Sequence, residues 1–318
     1  MKALRSPGPA VLLLAVVFLC RCTRDKKAVE QQWSAPDTAS IPHTGNGQLI
    51  RYGRALIANT AFYLGPNGTV AHASNGMNCQ NCHLSAGTTH LANNYAAAFS
   101  TYPKFRERSG TVESLEKKIN DCFERSMNGR AIDSTGLEMQ AIVAYMRWLG
   151  QGVPKGTRPV GTGTTLLPYP IFAADPVAGN LVYQQKCMQC HGADGAGKKN
   201  IAAAGYLYPP LWGSGSFNTG AGIYRLTKMA GFIKNNMPPG SSYALPQLSD
   251  TEAWNVAAFI VSQPRPAKAF AADWPDIRTK PIDHPFGPFP DTFSTVQHKY
   301  GPFGPIQQNR SASQKNKP

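Results

Sequence analysis

The pentapeptides CQNCH, at residues 79–83, and CMQCH, at residues 187–191, are two copies of one pattern, C-x-x-C-H. Two cysteines at this spacing can bond both vinyl groups of one porphyrin, and the adjacent histidine can then bind the iron at its centre. The pattern therefore predicts two covalently bound c-type haems, with His83 and His191 as the proximal iron ligands. The predicted attachment residues are Cys79, Cys82, Cys187 and Cys190.

Neither a zinc site nor a redox dithiol accounts for two copies of C-x-x-C-H. A zinc site needs further ligands at suitable spacing, and the remaining histidines do not supply them: His43, His72, His90, His284 and His298. A redox dithiol favours a βαβ context, which the sequence lacks. Haem attachment uses four of the seven cysteines, and Cys20 and Cys22 lie near the N-terminus. Cys122 is therefore the one thiol that these assignments leave over.

Further segments repeat at about the interval of 108 residues that separates Cys79 from Cys187. The segment RSMNG, which contains Met127, resembles NNMPPG, which contains Met237. The stretch LEMQAIVAYMRWLG likewise resembles TEAWNVAAFIVSQP. The chain thus consists of two copies of one unit.

The last two stretches predict the C-terminal helix of each unit, because their apolar residues recur at helical spacing. Capping boxes are predicted to begin them, Thr135 with Glu138 in the first unit and Ser249 with Glu252 in the second. No run of alternating strands competes with these helices. The predicted fold is mostly α, with two tandem haem domains that resemble class I cytochrome c, in which a few helices wrap one haem.

The predicted domain organisation follows the repeat and the composition. The predicted segments are a secretory or lipoprotein signal at 1–22, a first cytochrome c domain at 45–150, a linker at 151–175, a second cytochrome c domain at 176–263, and a Pro-rich C-terminal extension at 264–318. Gly, Pro and Thr dominate the linker. We expect the extension to lie extended over the folded body as far as Ile306, and residues 307–318 to be disordered.

The N-terminus predicts export. Lys2 and Arg5 precede an apolar run, residues 10–19, which is shorter than a bilayer span and typical of a secretory signal. Cys20 and Cys22 close this run without a good lipoprotein cleavage motif. The sequence therefore predicts a periplasmic or otherwise exported protein and leaves open a lipid anchor at either cysteine.

The formal net charge of +14 allows anionic partners or substrates to be attracted. No dense cluster of Lys and Arg alternates with aromatic residues, and no nucleic-acid-binding motif is present. Nucleic acid is therefore excluded as the expected partner.

The second unit offers three candidates for the iron ligand opposite His191. Met237, next to Pro238, has the position usual for a class I methionine ligand. Met229 lies on the same predicted helix stripe as Leu226 and Ile233, and Lys228 is adjacent to it. A neutral amine suits ferric iron, whereas a thioether suits ferrous iron better.

In the first unit, Lys118, Cys122 and Ser126 are four residues apart, so they share one face of a predicted helix. A buried cysteine often acts only as a small apolar side chain. A stripe of Lys, Cys and Ser is poor core packing, however, and is suited to binding a small anion beside a haem.

The stretch NCQNCHLSAGTTHLANNYAAAFSTYPKFRERSGTVESLEKKINDCFERSMNGRAI resembles the first haem region of the TsdA-type dihaem thiosulfate dehydrogenases. The resemblance continues through KCMQCHGADGAGKKN, TKMAGFIKNNMPPG, AWNVAAFIVSQPRP and QHKYGPFGPI, and covers about residues 45–306. It implies an oxidoreductase that joins two thiosulfates into tetrathionate with release of two electrons, or runs the reverse. It also implies a redox partner, such as another cytochrome c.

The resemblance implies roles for individual residues as well. His83 and Cys122 would be the axial ligands of the first haem, with Cys122 as the catalytic group. His191 would be opposed by Lys228 or Met229, which exchange with redox state, and Met237 would be a packing residue. Residues implied to bind substrate are Arg108, Lys118 and Ser126. The position of Lys118 is often arginine in the family, and lysine lacks the bidentate fork.

Two further functions are compatible with a pair of c-type haems. A dihaem electron carrier without substrate chemistry is the main alternative, but a carrier gains nothing from a thiol placed beside cations. A dihaem peroxidase needs an open haem with acid and base groups, which a thiolate-capped haem does not provide.

Overall fold

A computed structural model describes residues 33–315 of the 318-residue chain. The predicted signal segment and the lipidation candidates Cys20 and Cys22 lie outside the described residues, as do residues 316–318. Within residues 33–315, no helix combines the length and the apolar character that a membrane crossing requires.

The described residues are mostly helical. The helices are α1 (Gly45–Ala58), α2 (Thr60–Leu64), α3 (Leu84–Gly87), α4 (Ala98–Thr101), α5 (Leu115–Arg125), α6 (Leu137–Leu149), α7 (Pro176–Lys186), α8 (Met188–His191), α9 (Leu226–Asn236), α10 (Asp250–Ser262), α11 (Thr295–Tyr300) and α12 (Gly304–Lys315). The strands are β1 (Lys104–Arg106), β2 (Thr111–Glu113), β3 (Lys198–Lys199) and β4 (Tyr206–Tyr208). β1 pairs with β2 and β3 with β4, both antiparallel. Short 3₁₀ turns lie at Thr38–Ser40, Cys79–Asn81, Gly222–Tyr224 and Ile277–Thr279.

Each haem unit is built on one pair of crossing helices. In the first unit α1 packs on α6, and a Cβ atom at Gly53 would lie 1.9 Å from the carbonyl oxygen of Ala141. In the second unit α7 packs on α10, and a Cβ atom at Gly179 would lie 1.9 Å from the carbonyl oxygen of Asn255. Only glycine permits backbones to approach this closely. The repeated crossing confirms the predicted fold class of two tandem cytochrome c-like units.

The two predicted capping boxes have different outcomes. Ser249 and Glu252 form theirs as predicted at the start of α10. The prediction of a capping box at Thr135 and Glu138 was wrong, because α6 begins after Gly136 and no side chain caps it. The Thr135 hydroxyl instead donates to the carboxylate of Asp133 at 2.8 Å, and Glu138 accepts from the Tyr52 hydroxyl at 3.0 Å.

The C-terminal extension also differs from expectation. Residues 264–294 contain only a 3₁₀ turn, but α11 and α12 follow, so the expected disorder after Ile306 was wrong through residue 315. Phe303 and Ile306 are completely buried, which agrees with the predicted packing onto the body. Past Pro305 the sequence lacks Gly and Pro as far as residue 315, and Arg310 donates to the carbonyl oxygen of Lys280. These contacts stabilise a polar helix that propensity alone would not.

Candidate functional site

The first C-x-x-C-H motif is held in a tight turn by hydrogen bonds from α2. The backbone N–H of Cys79 donates to the Thr60 hydroxyl at 3.0 Å, and the Asn78 side chain accepts from Ala61 N–H at 2.8 Å. Nδ1 of His83 lies 2.5 Å from the carbonyl oxygen of Asn93. This hydrogen bond leaves Nε2 as the atom able to bind a metal.

The second motif repeats this arrangement. Nδ1 of His191 lies 2.8 Å from the carbonyl oxygen of Pro209, which again leaves Nε2 for a metal. Burial lowers the pKa of His83 to about 4 and also lowers the pKa of His191. Both imidazoles are therefore neutral at physiological pH, which is the protonation state that binds metal.

The first motif opens into a cavity of about 410 Å³, which we call the first cavity. Its wall contains Cys79, Cys82 and His83. Lys118 and Cys122, from one face of α5, also line it, as does Ser126, the residue that follows the helix. The predicted helix stripe thus lies in the same cavity as the predicted haem ligand His83. Cys122 is only partly buried.

The first cavity is strongly basic. Five cationic residues line it: Lys104, Arg106, Lys118, Arg158 and Lys228. Among the described residues, no aspartate or glutamate lines this cavity. Arg106 lies 3.9 Å from Glu113, at the edge of ion-pair distance. A cavity with this charge favours anions.

Two of the predicted site residues lie elsewhere. Arg108 does not line the first cavity; its Nη1 donates to the carbonyl oxygen of Gly220 at 3.2 Å, and its guanidinium lies 5.5 Å from the ring centre of Trp274. Lys228, expected at the second haem, lines the first cavity and not the second.

Sequence reasoning missed Lys104, Arg106 and Arg158. Lys104 and Arg106 are two residues apart on β1, so the alternation of a strand places them on one face. That signal was readable in the sequence. Arg158 lies in the predicted linker, where no local pattern indicates a cavity wall.

The second motif opens into a cavity of about 260 Å³, the second cavity. Cys187, Cys190 and His191 line it, and so do two of the predicted ligand candidates, Met229 and Met237. Residues of the first unit complete the wall: Met77, Gln80, Asn81, Cys82 and Leu84. Met77 and Cys82 line both cavities, so the two sites share a wall.

Each cavity fits a c-type haem by the chemistry of its side chains. Each presents two thiols for thioether bonds and one imidazole whose Nδ1 is already hydrogen-bonded. Each is also lined by further sulfur-containing side chains of the kind that can bind haem iron, among them Cys122 in the first cavity, and Met229 and Met237 in the second. Two such cavities in one chain define a dihaem c-type cytochrome.

Relatives identify the family within this class. The chain is 39% identical over 265 residues to the thiosulfate dehydrogenase of Allochromatium vinosum, and the alignment covers 82% of this chain and 93% of that protein. The protein therefore belongs to the thiosulfate dehydrogenase family. The thiosulfate dehydrogenase of Stutzerimonas stutzeri is 37% identical over 241 residues, which cover 76% of this chain and 75% of that protein.

Domain families and a solved structure agree with this assignment. Residues 69–154 match the SoxA/TsdA cytochrome c domain, and residues 176–264 match the cytochrome c family. The thiosulfate dehydrogenase TsdBA of Marichromatium purpuratum, in its as-isolated form, superposes with a TM-score of 0.67 at 32% identity. That alignment covers 74% of this chain and 50% of the solved chain, so this chain spans about half of that protein.

Proposed function

We infer that this protein is a dihaem oxidoreductase that interconverts thiosulfate and tetrathionate. Two thiosulfates lose two electrons and form one tetrathionate, or the reaction runs in reverse. The observation that carries this inference is the position of Cys122, a thiol that lines the same cavity as His83 together with five cations and, among the described residues, no carboxylate. An electron carrier needs no such cavity.

The cations of the first cavity can offset the repulsion between the two anionic substrates. Each thiosulfate carries two negative charges, and the two substrates must approach each other to form a sulfur–sulfur bond. Their repulsion is large in a cavity that excludes water, unless fixed positive charges offset it. Lys118 is on the same helix face as Cys122, and we propose that it binds substrate together with Ser126.

We propose that Cys122 is the nucleophile. Its sulfur bonds to the outer sulfur of one thiosulfate, and this step releases two electrons. A second thiosulfate then attacks that outer sulfur, a disulfide exchange that releases tetrathionate and restores the Cys122 thiolate. In reverse, tetrathionate takes up two electrons and yields two thiosulfates.

The bound haems supply one-electron acceptors for the two electrons released. The shared wall of Met77 and Cys82 supports passage of electrons from the first site to the second. We propose that His191 and Met229 would hold the iron of the second haem, which would supply the site for electron transfer to a redox partner such as another cytochrome c. We also propose that the protein works in the periplasm, because its N-terminal residues are typical of a secretory signal.

Steady-state kinetics on the purified holoprotein test this function in both directions. Thiosulfate should reduce an artificial electron acceptor, and tetrathionate should oxidise a reduced donor. Absence of turnover in both directions, with two haems attached, would instead identify a dihaem electron carrier.

A further inference from the structure

The middle of the predicted linker is hydrogen-bonded to the first haem unit. We call residues 156–164 the strap. Five hydrogen bonds join the strap to the unit: Gly156 N–H to Ser100 O at 2.8 Å, the Ser100 hydroxyl to Thr157 O at 2.9 Å, Leu91 N–H to Gly161 O at 2.8 Å, the Asn94 side-chain amide to Gly161 O at 2.7 Å, and Asn93 N–H to Gly163 O at 2.8 Å. The strap is therefore held at both its ends.

The strap supplies part of the wall of the first cavity. Arg158, Thr162, Gly163 and Thr164 line the cavity. Arg158 is the one charged residue of the strap. Within residues 33–315, no carboxylate lies at ion-pair distance from Arg158. The Thr162 hydroxyl donates to Pro159 O at 3.0 Å, which fixes the turn that follows Arg158.

The neighbours of Arg158 are cations on other elements. Lys104 is on β1 and Lys118 is on α5, and both line the same cavity. Burial lowers the pKa of Lys104, and the nearby charges of Arg106, Arg158 and Lys118 lower it further. Like charges gathered without a counter-ion repel each other, so this group gains stability when an anion binds.

The product of the proposed reaction has an anionic group at each of its two ends. Tetrathionate carries a sulfonate at either end of a chain of sulfur atoms, so one cationic site cannot neutralise both. Lys118 and Ser126 provide a site on α5, beside Cys122. The second site needs a cation from another element, and the strap presents Arg158.

We propose that Arg158 is a substrate-binding residue, whose guanidinium holds the second sulfonate of tetrathionate, or the second thiosulfate. This proposal rests on the proposed function. A guanidinium donates two parallel N–H bonds to a pair of oxygens, which suits a sulfonate. Lysine would keep the charge but lose this fork.

The test compares Arg158→Gln and Arg158→Lys with Arg130→Gln in the holoprotein. Arg130 is an exposed arginine of the same unit that does not line the first cavity, so its loss removes the same charge. In Arg158→Gln, we expect the KM for thiosulfate and for tetrathionate to rise about tenfold, with kcat within about twofold, because one charge-assisted contact is lost. The KM values of Arg158→Lys should lie between those of Arg158→Gln and the unchanged protein. The KM values of Arg130→Gln should equal those of the unchanged protein.

Two measurements without turnover complete the test. Calorimetric titration of the oxidised holoprotein with tetrathionate should show about tenfold weaker binding for Arg158→Gln, and the reduction potential of the first haem should not change. An unchanged KM and affinity would overturn the proposal. A shifted potential with unchanged affinity would also overturn it, since Arg158 would then interact with the haem. The holoprotein could bind tetrathionate more weakly after Arg158→Gln and yet show no turnover before the substitution. That result would support the anion site at Arg158 and contradict the proposed function.

Discussion

Cys122 is on α5 and lines the first cavity together with His83. Two of its neighbours on the helix face, Lys118 and Ser126, are polar, and both line the same cavity. A side chain in this position contributes little to the core. Its replacement should therefore affect the chemistry far more than the fold.

This argument gives a prediction for Cys122→Gly. Both haems should remain attached, and turnover should fall by about three orders of magnitude or more, as expected when a nucleophile is removed. The measurement is kcat in both directions, with haem content determined by mass spectrometry. Cys122→Ala is the companion variant, because glycine in a helix costs about 1 kcal/mol of stability. Near-normal turnover in either variant would exclude Cys122 as the nucleophile.

Lys118 gives a second prediction at this scale. Arginine would keep the positive charge and add a planar fork able to hold two sulfonate oxygens. Lys118→Arg should therefore lower the KM for thiosulfate about threefold, and Lys118→Gln should raise it about tenfold. Initial rates at varied thiosulfate measure both effects. Equal KM values in the two variants would show that the charge at this position does not bind substrate.

The residues of the site differ in how well the sequence predicts them. The first C-x-x-C-H motif and the stripe of Lys118, Cys122 and Ser126 are local patterns, and the structure brings them into one cavity. The family resemblance predicts that Arg108 binds substrate, but the structure places Arg108 against Gly220 and Trp274 instead. Which arginine faces the cavity depends on the path of the chain after β1, and local periodicity does not encode that path.

At the scale of elements, α5 is held at its C-terminal end by residues remote in sequence. The guanidinium of Arg125 donates two hydrogen bonds to the carboxylate of Asp273, at 2.7 and 2.8 Å, and lies 3.6 Å from the ring centre of Phe270. The Asn218 side chain donates to the carbonyl oxygen of Glu124 at 2.8 Å. The second unit and the C-terminal extension therefore help to position the helix that carries Cys122.

The Arg125–Asp273 pair gives the third prediction. In Asp273→Asn, the buried Arg125 loses its nearest ionic partner and keeps only the Asp121 carboxylate, 3.8 Å away. This loss should cost about 2 kcal/mol in the free energy of unfolding. Asp276→Asn is the matched control in the same extension, because its partner Arg278 has 66% of its side chain exposed. An exposed pair contributes about 1 kcal/mol or less. Chemical denaturation of the holoproteins measures both costs, and equal losses would contradict the prediction.

The helices themselves were more predictable than their ends. Apolar spacing predicted α6 and α10, and the structure contains both. The start of α6 was misplaced because Asp133 binds the Thr135 hydroxyl, so the nearer acceptor prevails over the capping box. The helix α12 was missed because its stability depends on contacts such as that of Arg310 with Lys280, which sequence periodicity does not reveal.

At the scale of the whole molecule, the two units complete each other's sites. Cys82 and Met77 of the first unit line the second cavity, and Lys228 of the second unit lines the first. The duplication in the sequence predicts two similar haem units, but it does not predict their interface, because each copy specifies only its own fold. The first cavity, where we propose that substrate binds, therefore shares one wall with the second cavity.

The last prediction tests this link through Met229 and Met237, both on the wall of the second cavity. Leucine has about the volume of methionine but cannot bind iron, so Met229→Leu removes the proposed ligand with little change in packing. Methionine ligation raises the reduction potential of a haem. Met229→Leu should therefore lower the potential of the second haem on the order of 100 mV and slow thiosulfate oxidation, although the first cavity is unaltered.

Met237→Leu is the matched control, since it makes the same change at the other methionine of the cavity. Spectroelectrochemical titration of both variants separates the two candidates, because only loss of the ligand shifts the potential. A shift in Met237→Leu alone would identify Met237 as the ligand and leave Met229 as a packing residue. A shift of the second-haem potential in Met229→Leu without slower thiosulfate oxidation would show that electrons do not leave the substrate site through the second haem.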